Sequence, residues 1–263
     1  MTLWPTNVTV ERMELRYLLA VVTGAGAGLG REIAVGLSRA GVAVLAVDRD
    51  LGAAEETAEL VRAARVRAWS MKADLTEEAE VRLVGSRASD LGGADLLVNN
   101  AGGWMPGEQF PAAPHDTWSR CITLNLTAPM HLTQLVLADA AHRPERRAGT
   151  PAVVNVASSA ALGPSPYASP EYAAAKAGLV RFTTALADEE AVGGRVAAVV
   201  PGWIGLPRAE REWAALRHSE KESLPPLIPP VDVVRTVLDL LARGEAGTVV
   251  ELTGGRPPIR LNG

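Results

Sequence analysis

The sequence is poor in the residues that stabilise a chain through cross-links. Its 263 residues include one cysteine, Cys121, so no disulfide bond can form within the chain. That cysteine and the four histidines are too few and too scattered for a closed structural zinc site, so we predict no bound metal. A shortage of cysteine of this kind is typical of a reducing compartment, and we expect the protein in the cytoplasm.

Long apolar runs and a strong excess of one charge are missing as well. No segment approaches the roughly 20 apolar residues that a transmembrane helix needs, so we expect no membrane partner. The net charge of −4 gives no electrostatic reason to expect a nucleic-acid partner. Residues 1–14 lack the basic-then-apolar order of a signal peptide, and we interpret them as a short N-terminal extension.

Short apolar runs that alternate with helical stretches make up most of the chain. Hydrophobic residues account for 48% of it, which is ample for a buried core. The apolar runs predict strands at 17–23, 42–47, 66–71, 95–98, 152–156, 196–200 and 247–252. Helices are predicted at 31–39, 51–64, 77–89, 117–141, 172–190 and 231–241, with a kink or boundary at Pro129. Near-continuous apolar strands belong to parallel sheets covered by helices, so residues 15–263 are predicted to form one α/β domain.

A glycine-rich segment, Thr23–Gly30, separates the first predicted strand from the first predicted helix. Glycines there would let the backbone approach a pyrophosphate, and the helix N-terminus would supply free N–H groups. Asp48 lies 18 residues past Gly30, at the end of the second predicted strand, where a carboxylate can accept hydrogen bonds from ribose hydroxyls. It would repel the 2′-phosphate of NADP, which favours NAD, although the neighbouring Arg49 could bind that phosphate. The alternative is a purely structural turn beside a surface aspartate.

Tyr172 and Lys176 are four residues apart at the start of a predicted helix, so their side chains share one face. Tyrosine has a pKa of about 10 and is a poor base at neutral pH. A nearby ammonium stabilises the phenolate and lowers that pKa, which would let Tyr172 exchange a proton with an alcohol or carbonyl oxygen. The same spacing also occurs by chance on many solvated helix faces.

Ser158 and Ser159 follow the fifth predicted strand. They would lie at the carboxyl edge of the sheet, where open α/β folds bind ligands. A hydroxyl at that edge can hydrogen-bond a reacting oxygen. Serine also commonly caps a turn at such a position, which is the simpler interpretation of either residue taken alone.

Together, these motifs resemble those of the short-chain dehydrogenase/reductase family, in the order found in that family. The resemblance extends from about residue 15 to about residue 255. It implies a Rossmann-type, doubly wound parallel sheet of about seven strands with helices on both faces. The matching segments are Thr23-Gly24-x-x-x-Gly28-Leu29-Gly30, Ala73-Asp74-Leu75, Asn99-Asn100-Ala101-Gly102, Trp118 with Asn125-Leu126, Ser158, Tyr172-x-x-x-Lys176 and Pro201-Gly202.

The resemblance implies hydride transfer between a nicotinamide cofactor and a secondary alcohol or ketone. Tyr172 would be the general acid/base, Lys176 would lower its pKa and bind the nicotinamide ribose, and Ser158 would hold the substrate oxygen. Asn125 would position a water that links Lys176 to solvent. NAD, or alternatively NADP, would contact Gly24, Gly28, Leu29, Gly30, Asp48, Asp74, Leu75, Asn100, Tyr172, Lys176, Pro201, Gly202 and Ile204.

Two departures from the family pattern bear on these expectations. Ser158 precedes Tyr172 by 14 positions, one more than in the commonest pattern. Ser159 would restore the usual gap, but its position after the strand matches the family pattern less well. We therefore expect Ser158 to act and keep Ser159 as the alternative. The threonine that usually bonds the nicotinamide carboxamide is replaced by Leu206, and backbone groups around Ile204 would have to take over that contact.

The segment after the sixth predicted strand, about residues 203–230, is expected to cover the substrate as a lid. It carries Trp203 and Trp213, and Trp104 and Met105 could face the same pocket. We therefore predict a fairly bulky apolar alcohol or ketone as substrate. Alternatively, the tryptophans only seal the lid or a subunit contact.

The resemblance also implies a homodimer or homotetramer built on the helices around 117–141 and 172–190. Two other functions stay open. One is an NADPH-dependent carbonyl reductase, and the other is a dinucleotide-binding regulator without turnover. Leu206 favours the regulator, whereas the complete set of Asn125, Ser158, Tyr172 and Lys176 favours an enzyme.

Overall fold

The computed structural model describes residues 13–143, 150–163 and 169–261. The predicted N-terminal extension, residues 1–14, lies outside the described residues except for its last two. The described strands are β1 (Leu19–Thr23), β2 (Ala43–Asp48), β3 (Ala68–Lys72), β4 (Leu96–Asn99), β5 (Ala152–Val156), β6 (Arg195–Pro201), β7 (Val249–Leu252) and β8 (Ile259–Arg260).

These strands form one sheet in the order β3-β2-β1-β4-β5-β6-β7-β8. Strands β1 to β7 pair in parallel, and β8 pairs antiparallel with β7. The predicted α/β fold with a doubly wound parallel sheet is confirmed. The sequence did not predict β8, because a strand of two residues is too short to carry an alternating pattern.

Helices cover both faces of the sheet. The described α-helices are α1 (Gly28–Arg39), α2 (Leu51–Ala63), α3 (Glu78–Asp90), α4 (His115–Ile122), α5 (Ala128–Ala141), α6 (Pro170–Ala185), α7 (Glu189–Val192), α8 (Pro207–Ala215), α9 (His218–Ser223) and α10 (Pro230–Arg243). The lid segment predicted at about 203–230 contains α8 and α9. Its base is fastened by a parallel bridge between Ile204 and Ile228.

The central strands are buried on both faces. Val22 of β1 belongs to the core beneath α1 and α10, whereas its neighbour Val21 belongs to the core beneath α3 and α5. Neither valine has exposed surface. Successive strand side chains point to opposite faces, and full burial of one valine contributes about 1.5–3 kcal/mol. Burial on both sides therefore anchors β1 firmly in the middle of the domain.

The helix predicted at 117–141 is interrupted. α4 passes into a π-helical turn, Thr123–Thr127, and α5 begins at Ala128. The boundary expected at Pro129 is present, since this proline is the second residue of α5, which follows directly on the π-helical turn. The π-turn itself has no proline signal. Such turns occur frequently at functional sites.

By length and composition, His115–Ala141 is a stretch of the described chain that could cross a membrane. The core helices of folded domains pass the same test. Here α5 packs Leu132 and Val136 against the sheet and against α3. The stretch is therefore part of the core of the α/β domain.

The strand order reverses at β1, which lies between β2 and β4. In open α/β sheets, ligands bind in the crevice at the carboxyl ends of the strands beside such a reversal. The glycine-rich turn follows β1, Asp48 ends β2, and Asn99 ends β4. Three of the predicted motifs therefore lie together at the carboxyl ends of the strands.

Candidate active site

The turn after β1 depends on its glycines. Gly24 and Gly28 have left-handed backbones with φ of +62° and +53°. A Cβ atom on Gly30 would lie 2.1 Å from the carbonyl oxygen of Gly24, which no side chain can tolerate. α1 starts at Gly28, so the unpaired N–H groups of its first turn, including that of Leu29, lie at this bend. The turn has the shape and the partial positive charge that a pyrophosphate requires.

Asp48 is held against this turn. Its Oδ2 accepts a hydrogen bond from the N–H of Gly26 at 2.8 Å, and its Oδ1 accepts one from the N–H of Asp50 at 3.1 Å. A Cβ on Gly26 would lie 2.8 Å from the Asp48 carboxyl carbon, so glycine is also needed at this position. The carboxylate is thus fixed next to the predicted pyrophosphate site, where it can accept hydrogen bonds from ribose hydroxyls.

A cavity of about 310 Å³ extends from Asp48 along the edge of the sheet to Trp104. Asp74 and Leu75 line its wall, as does the exposed Arg49. Partial burial acts to raise the pKa of Asp74, but hydrogen bonds from the N–H and hydroxyl of Thr76, together with nearby guanidinium groups, hold it below its usual value. Asp74 is therefore an anionic acceptor in the cavity wall.

Asn100, which directly follows β4, stabilises the glycine-rich turn. Its Nδ2 donates to the carbonyl oxygens of Thr23 at 2.8 Å and Gly24 at 3.2 Å. The Thr23 hydroxyl in turn accepts from the N–H groups of Asn100 and Ala101, both at 3.0 Å. Asn100, predicted to contact the cofactor, thus shapes the turn. The hydrogen bonds described for its side chain go to backbone carbonyl oxygens of that turn.

A buried chain of amides lies behind this edge and was not predicted. Asn99 Nδ2 donates to Asn155 Oδ1 at 2.9 Å, and Asn155 Nδ2 donates to the Thr183 hydroxyl at 2.9 Å. All three residues are buried. The chain ties β4, β5 and α6 together, and it therefore fixes the helix that carries Tyr172 relative to the sheet.

Asn125 lies in the π-turn and has no exposed surface. Its Nδ2 donates to the carbonyl oxygens of Gly103 and Cys121, and its Oδ1 accepts from the N–H of Gly103 at 2.9 Å. Burial raises the pKa of the adjacent Cys121 thiol, so this side chain stays neutral. A Cβ on Gly102 would lie 2.6 Å from Asn125 Oδ1 and 3.0 Å from the Nζ atom of Lys176. The absent side chain of Gly102 is what lets these polar groups converge.

Lys176 and Tyr172 lie one turn apart on α6. The Nζ atom of Lys176 is 5.8 Å from the centre of the Tyr172 ring and donates a hydrogen bond to the carbonyl oxygen of Val156 at 2.8 Å. Burial lowers the pKa of Lys176 to about 8. At pH 7 the amine therefore remains charged in a ratio of about ten to one. Its ammonium is near enough to the phenol to favour the phenolate.

Ser158 and Ser159 follow β5 in different conformations. Ser158 has an extended backbone, and its hydroxyl oxygen accepts a hydrogen bond from the N–H of Ala160 at 3.2 Å. Ser159 is the first residue of the 3-10 turn Ser159–Ala161. The turn-capping role considered from the sequence is therefore present at Ser158. Because that hydroxyl acts there as an acceptor, its proton can still be donated to a substrate oxygen.

The segment predicted to form the lid, about residues 203–230, comes soon after the end of β6 at Pro201. The N–H of Gly202 donates to the carbonyl oxygen of Leu252, and the N–H of Gly205 donates to that of Ile228. These two hydrogen bonds hold Ile204 in place. The Cδ1 atom of Leu206 would be 3.6 Å from a Cβ placed on Gly28. The leucine that replaces the expected threonine therefore covers the glycine-rich turn with an apolar side chain.

The predicted aromatic wall is divided between the lid and the sheet edge. Trp203 and Trp213 contact each other edge to face, with ring centres 6.2 Å apart. The guanidinium of Arg208 lies 5.5 Å from the centre of the Trp104 ring, which links α8 to the segment after β4. Trp104 and Met105 line the 310 Å³ cavity.

Arg31 was missed by sequence reasoning. From α1 it donates to the carbonyl oxygen of Gly26 at 2.5 Å and to the Thr57 hydroxyl at 3.0 Å, while Thr57 donates to the carbonyl oxygen of Ala25 at 2.8 Å. This clamp holds α2 against the glycine-rich turn. Its only sequence signal is an arginine in the first turn of the helix, which alone does not identify a partner.

No group of three or more metal-binding side chains is found within residues 13–143, 150–163 and 169–261. The described site combines a crevice at the carboxyl ends of the strands with the Tyr172–Lys176 pair. The positive-φ glycines, the anionic Asp74 and the fixed carboxylate of Asp48 all fit the parts of a nicotinamide dinucleotide.

Known proteins share this architecture. A sequence profile of the short chain dehydrogenase family matches residues 18–216. The chain is 35% identical over 214 residues to a D-beta-hydroxybutyrate dehydrogenase from Cupriavidus necator, which covers 78% of this chain and 77% of that protein. A solved 7-alpha-hydroxysteroid dehydrogenase complexed with NADH has a TM-score of 0.80 at 27% identity, over 92% of this chain and 96% of the other. L-sorbose reductase from Gluconobacter frateurii, complexed with NADPH, has a TM-score of 0.81 at 25% identity, over 92% and 98%. Fold, motifs and likeness together place this chain in the short-chain dehydrogenase family of oxidoreductases.

Proposed function

We propose that the protein transfers hydride between a nicotinamide cofactor, NAD in preference to NADP, and a secondary alcohol or ketone. The observation that carries this proposal is the placement of Tyr172 beside the charged Lys176, at the sheet edge that also holds the glycine-rich turn. Family membership supports an oxidoreductase that acts on CH–OH groups. The choice of cofactor and substrate rests on residues of this chain.

Tyr172 handles the proton of the reaction. In oxidation its phenolate oxygen takes the hydroxyl proton of the alcohol, and in reduction its phenol returns that proton to the developing alkoxide. When bound, the nicotinamide accepts or supplies the hydride at the carbinol carbon. Lys176 favours the phenolate through its charge, and Ser158 donates a hydrogen bond to the reacting oxygen.

Asn125 is a positioning residue in this proposal. Its side-chain amide is bonded to the backbone of Gly103 in both directions, so it fixes the segment after β4 against the π-turn. That contact places Gly102 against Lys176 and sets the floor on which the nicotinamide ribose would lie. The water-positioning role implied by the family resemblance remains a prediction.

Asp48 supports NAD over NADP. Its carboxylate is fixed by Gly26 and Asp50, so it cannot easily turn away from a 2′-phosphate placed beside it. Two like charges at about 4 Å repel by about 4 kcal/mol near a protein surface. Arg49 lines the same cavity and supports the alternative, an enzyme that uses NADPH in the reductive direction. The solved relatives with NADH and NADPH leave both cofactors open for this chain.

The tryptophans support a fairly bulky apolar alcohol or ketone. Trp104 lines the crevice, and Trp203 and Trp213 lie in the segment that we predict to cover it. Aromatic walls favour apolar substrates because they remove apolar surface from water. The named substrates of the relatives, hydroxybutyrate and a hydroxysteroid, differ greatly in size, so they do not select a size for this chain. A homodimer or homotetramer and a cytoplasmic location stay predictions.

Tyr172→Phe tests the proposal. The substitution removes one oxygen from the half-buried side chain, so we expect turnover of secondary alcohols with NAD to fall by at least about 100-fold. Binding of NADH, followed by its fluorescence, should stay within about threefold of the wild type. Loss of both turnover and cofactor binding would show that Tyr172 has only a structural role. Wild-type protein that binds NADH but turns over no alcohol or ketone in a broad panel would favour the regulator.

A further inference from the structure

A second concave site lies at the amino ends of the strands, whereas the glycine-rich turn lies at their carboxyl ends. It is a cavity of about 610 Å³, formed where β1, β2 and β3 begin and where α1 and α2 end. We name it the arginine cleft. Its charged lining residues are Arg16, Arg39, Arg65 and Arg67, and no aspartate or glutamate lines it.

The four guanidinium groups lack a carboxylate partner in the part of the chain that the structure describes. All four residues are exposed, and none belongs to an ion pair there. Two of them lie over aromatic rings instead, Arg16 at 5.2 Å from the centre of Tyr17 and Arg67 at 5.4 Å from that of Trp69. A chain with a net charge of −4 thus concentrates four positive charges around one cavity.

Helix dipoles account for only part of this charge. Arg39 lies in the last turn of α1 and Arg65 lies just past α2, where cations offset the partial charge of a helix C-terminus. Each helix end carries about half a negative charge, so the two ends together offset about one of the four arginines. Arg16 and Arg67 lie in segments that lead into β1 and β3. An excess of about three positive charges therefore remains.

The backbone of the cleft is also unusual. Tyr17 and Arg65, with φ of +69° and +61°, are the non-glycine residues of the described chain that have left-handed backbones, and both line this cavity. The N–H of Tyr17 donates to the carbonyl oxygen of Gly41 at 3.0 Å, which holds the residue in place. Tyr17 as a whole residue is 67% exposed. The cleft thus presents an exposed aromatic face among guanidinium groups, on which a planar group can stack.

We propose that the arginine cleft binds a small molecule that carries two or more phosphate groups. Guanidinium groups match phosphate oxygens in bidentate geometry. The volume lies within the range of about 300–1,000 Å³ for small-molecule pockets, which favours such a ligand over the flat surface of an acidic protein. Inorganic polyphosphates and nucleoside polyphosphates share this chemistry, and they differ in whether a base can stack on Tyr17. The cleft is separate from the dinucleotide crevice because it lies at the other ends of the same strands.

Isothermal titration calorimetry of the full chain with tripolyphosphate and with ATP tests the proposal, each titration being done with and without saturating NADH. Under the proposed function NADH fills the crevice, so binding that persists in its presence belongs to another site. We expect at least one of the two ligands to bind under both conditions. A lower Kd for ATP than for tripolyphosphate would assign the ligand as a nucleotide, and an equal or higher Kd for ATP would assign it as inorganic polyphosphate.

Arg39→Gln with Arg67→Gln should raise the Kd by at least about tenfold, because two charged hydrogen-bond donors are lost. The matched control, Arg82→Gln with Arg256→Gln, removes two exposed arginines elsewhere and should leave the Kd within about twofold. Circular dichroism checks that both double variants fold. If the Arg39/Arg67 double variant does not fold, the single variant Arg16→Gln takes its place. The proposal is overturned if neither ligand binds, if NADH abolishes binding, or if both pairs of variants weaken it equally.

Discussion

Lys176→Met tests whether the protein maintains the charge in its active site at a cost in stability. Lys176 is buried, and burial lowers the pKa of its ammonium from 10.5 to about 8. A difference of this size disfavours the charged form in the folded protein by about 3.4 kcal/mol at pH 7. Methionine has a similar length and no charge, but it loses the hydrogen bond to Val156, worth about 1 kcal/mol. The variant should therefore be more stable than the wild type by about 2 kcal/mol at pH 7.

The pH dependence identifies the cause of this stabilisation. Between about pH 8 and 10.5, the unfolded chain keeps a proton on Lys176 that the folded protein has released. The contribution of this residue to the free energy of unfolding therefore rises with pH across that window and is constant and lowest below pH 8. The variant lacks the group, so its advantage over the wild type should shrink to near zero by pH 10. Urea unfolding of both proteins at pH 7, 8, 9 and 10 measures this difference.

The exposed Lys72 provides a matched control. Lys72→Met should change the free energy of unfolding by less than about 0.5 kcal/mol, since surface substitutions seldom do more. Lys176→Met should also abolish alcohol oxidation, because the phenolate of Tyr172 would lose its nearby charge. An advantage that is missing at pH 7, or one that does not change between pH 7 and 10, would refute the reasoning.

Three further predictions concern the cofactor and the substrate oxygen. Asp48→Ser should lower the ratio of kcat/KM for NAD to that for NADP by at least about tenfold, because it removes the carboxylate that repels a 2′-phosphate; steady-state kinetics with both cofactors measures this. Arg31→Met should raise the KM for NAD by about tenfold and leave kcat within about twofold, because the clamp on Gly26 is lost; equal loss in kcat would contradict a role in positioning the turn. Ser158→Ala should lower kcat by about 100-fold and Ser159→Ala by less than about threefold, and the reverse order would assign the substrate oxygen to Ser159.

The parallel sheet could be predicted because its strands are buried on both faces. The run at 19–23 has no charged residue, which is typical of a strand covered by helices on both sides. Helix ends were harder to predict. The helix expected at 172–190 ends at Ala185, and a separate helix starts after Asp188, whose carboxylate caps the N–H of Ala191 at 3.1 Å. An N-cap competes with continuation of the preceding helix, and the sequence alone does not show which wins.

From residue chemistry and spacing alone, the site could be predicted only where its residues lie close together in sequence, and residues such as Asn125 and Asp74 entered the prediction through the family resemblance. The glycine-rich turn and the Tyr172–Lys176 pair are local, and their spacing determines their geometry. Other contacts form only in the folded protein. Arg31 donates to the backbone carbonyl oxygen of Gly26 and to the Thr57 hydroxyl, and Asn99 donates to the side chain of Asn155. Residue types alone do not identify such partners, because an arginine on a helix and a buried asparagine each have many possible acceptors.

Three elements of the fold meet beside the ammonium of Lys176. The π-turn aims Asn125 inward, the segment after β4 brings Gly102 alongside, and α6 supplies the lysine. A side chain at position 102 would overlap Asn125 Oδ1 and crowd Nζ, so even alanine there would push the amide and the ammonium apart. A buried charge is costly, and it persists only where the surrounding contacts leave it no other arrangement. Gly102 of the Asn-Asn-Ala-Gly segment therefore sets the space around the ammonium of Lys176, although it has no group that titrates.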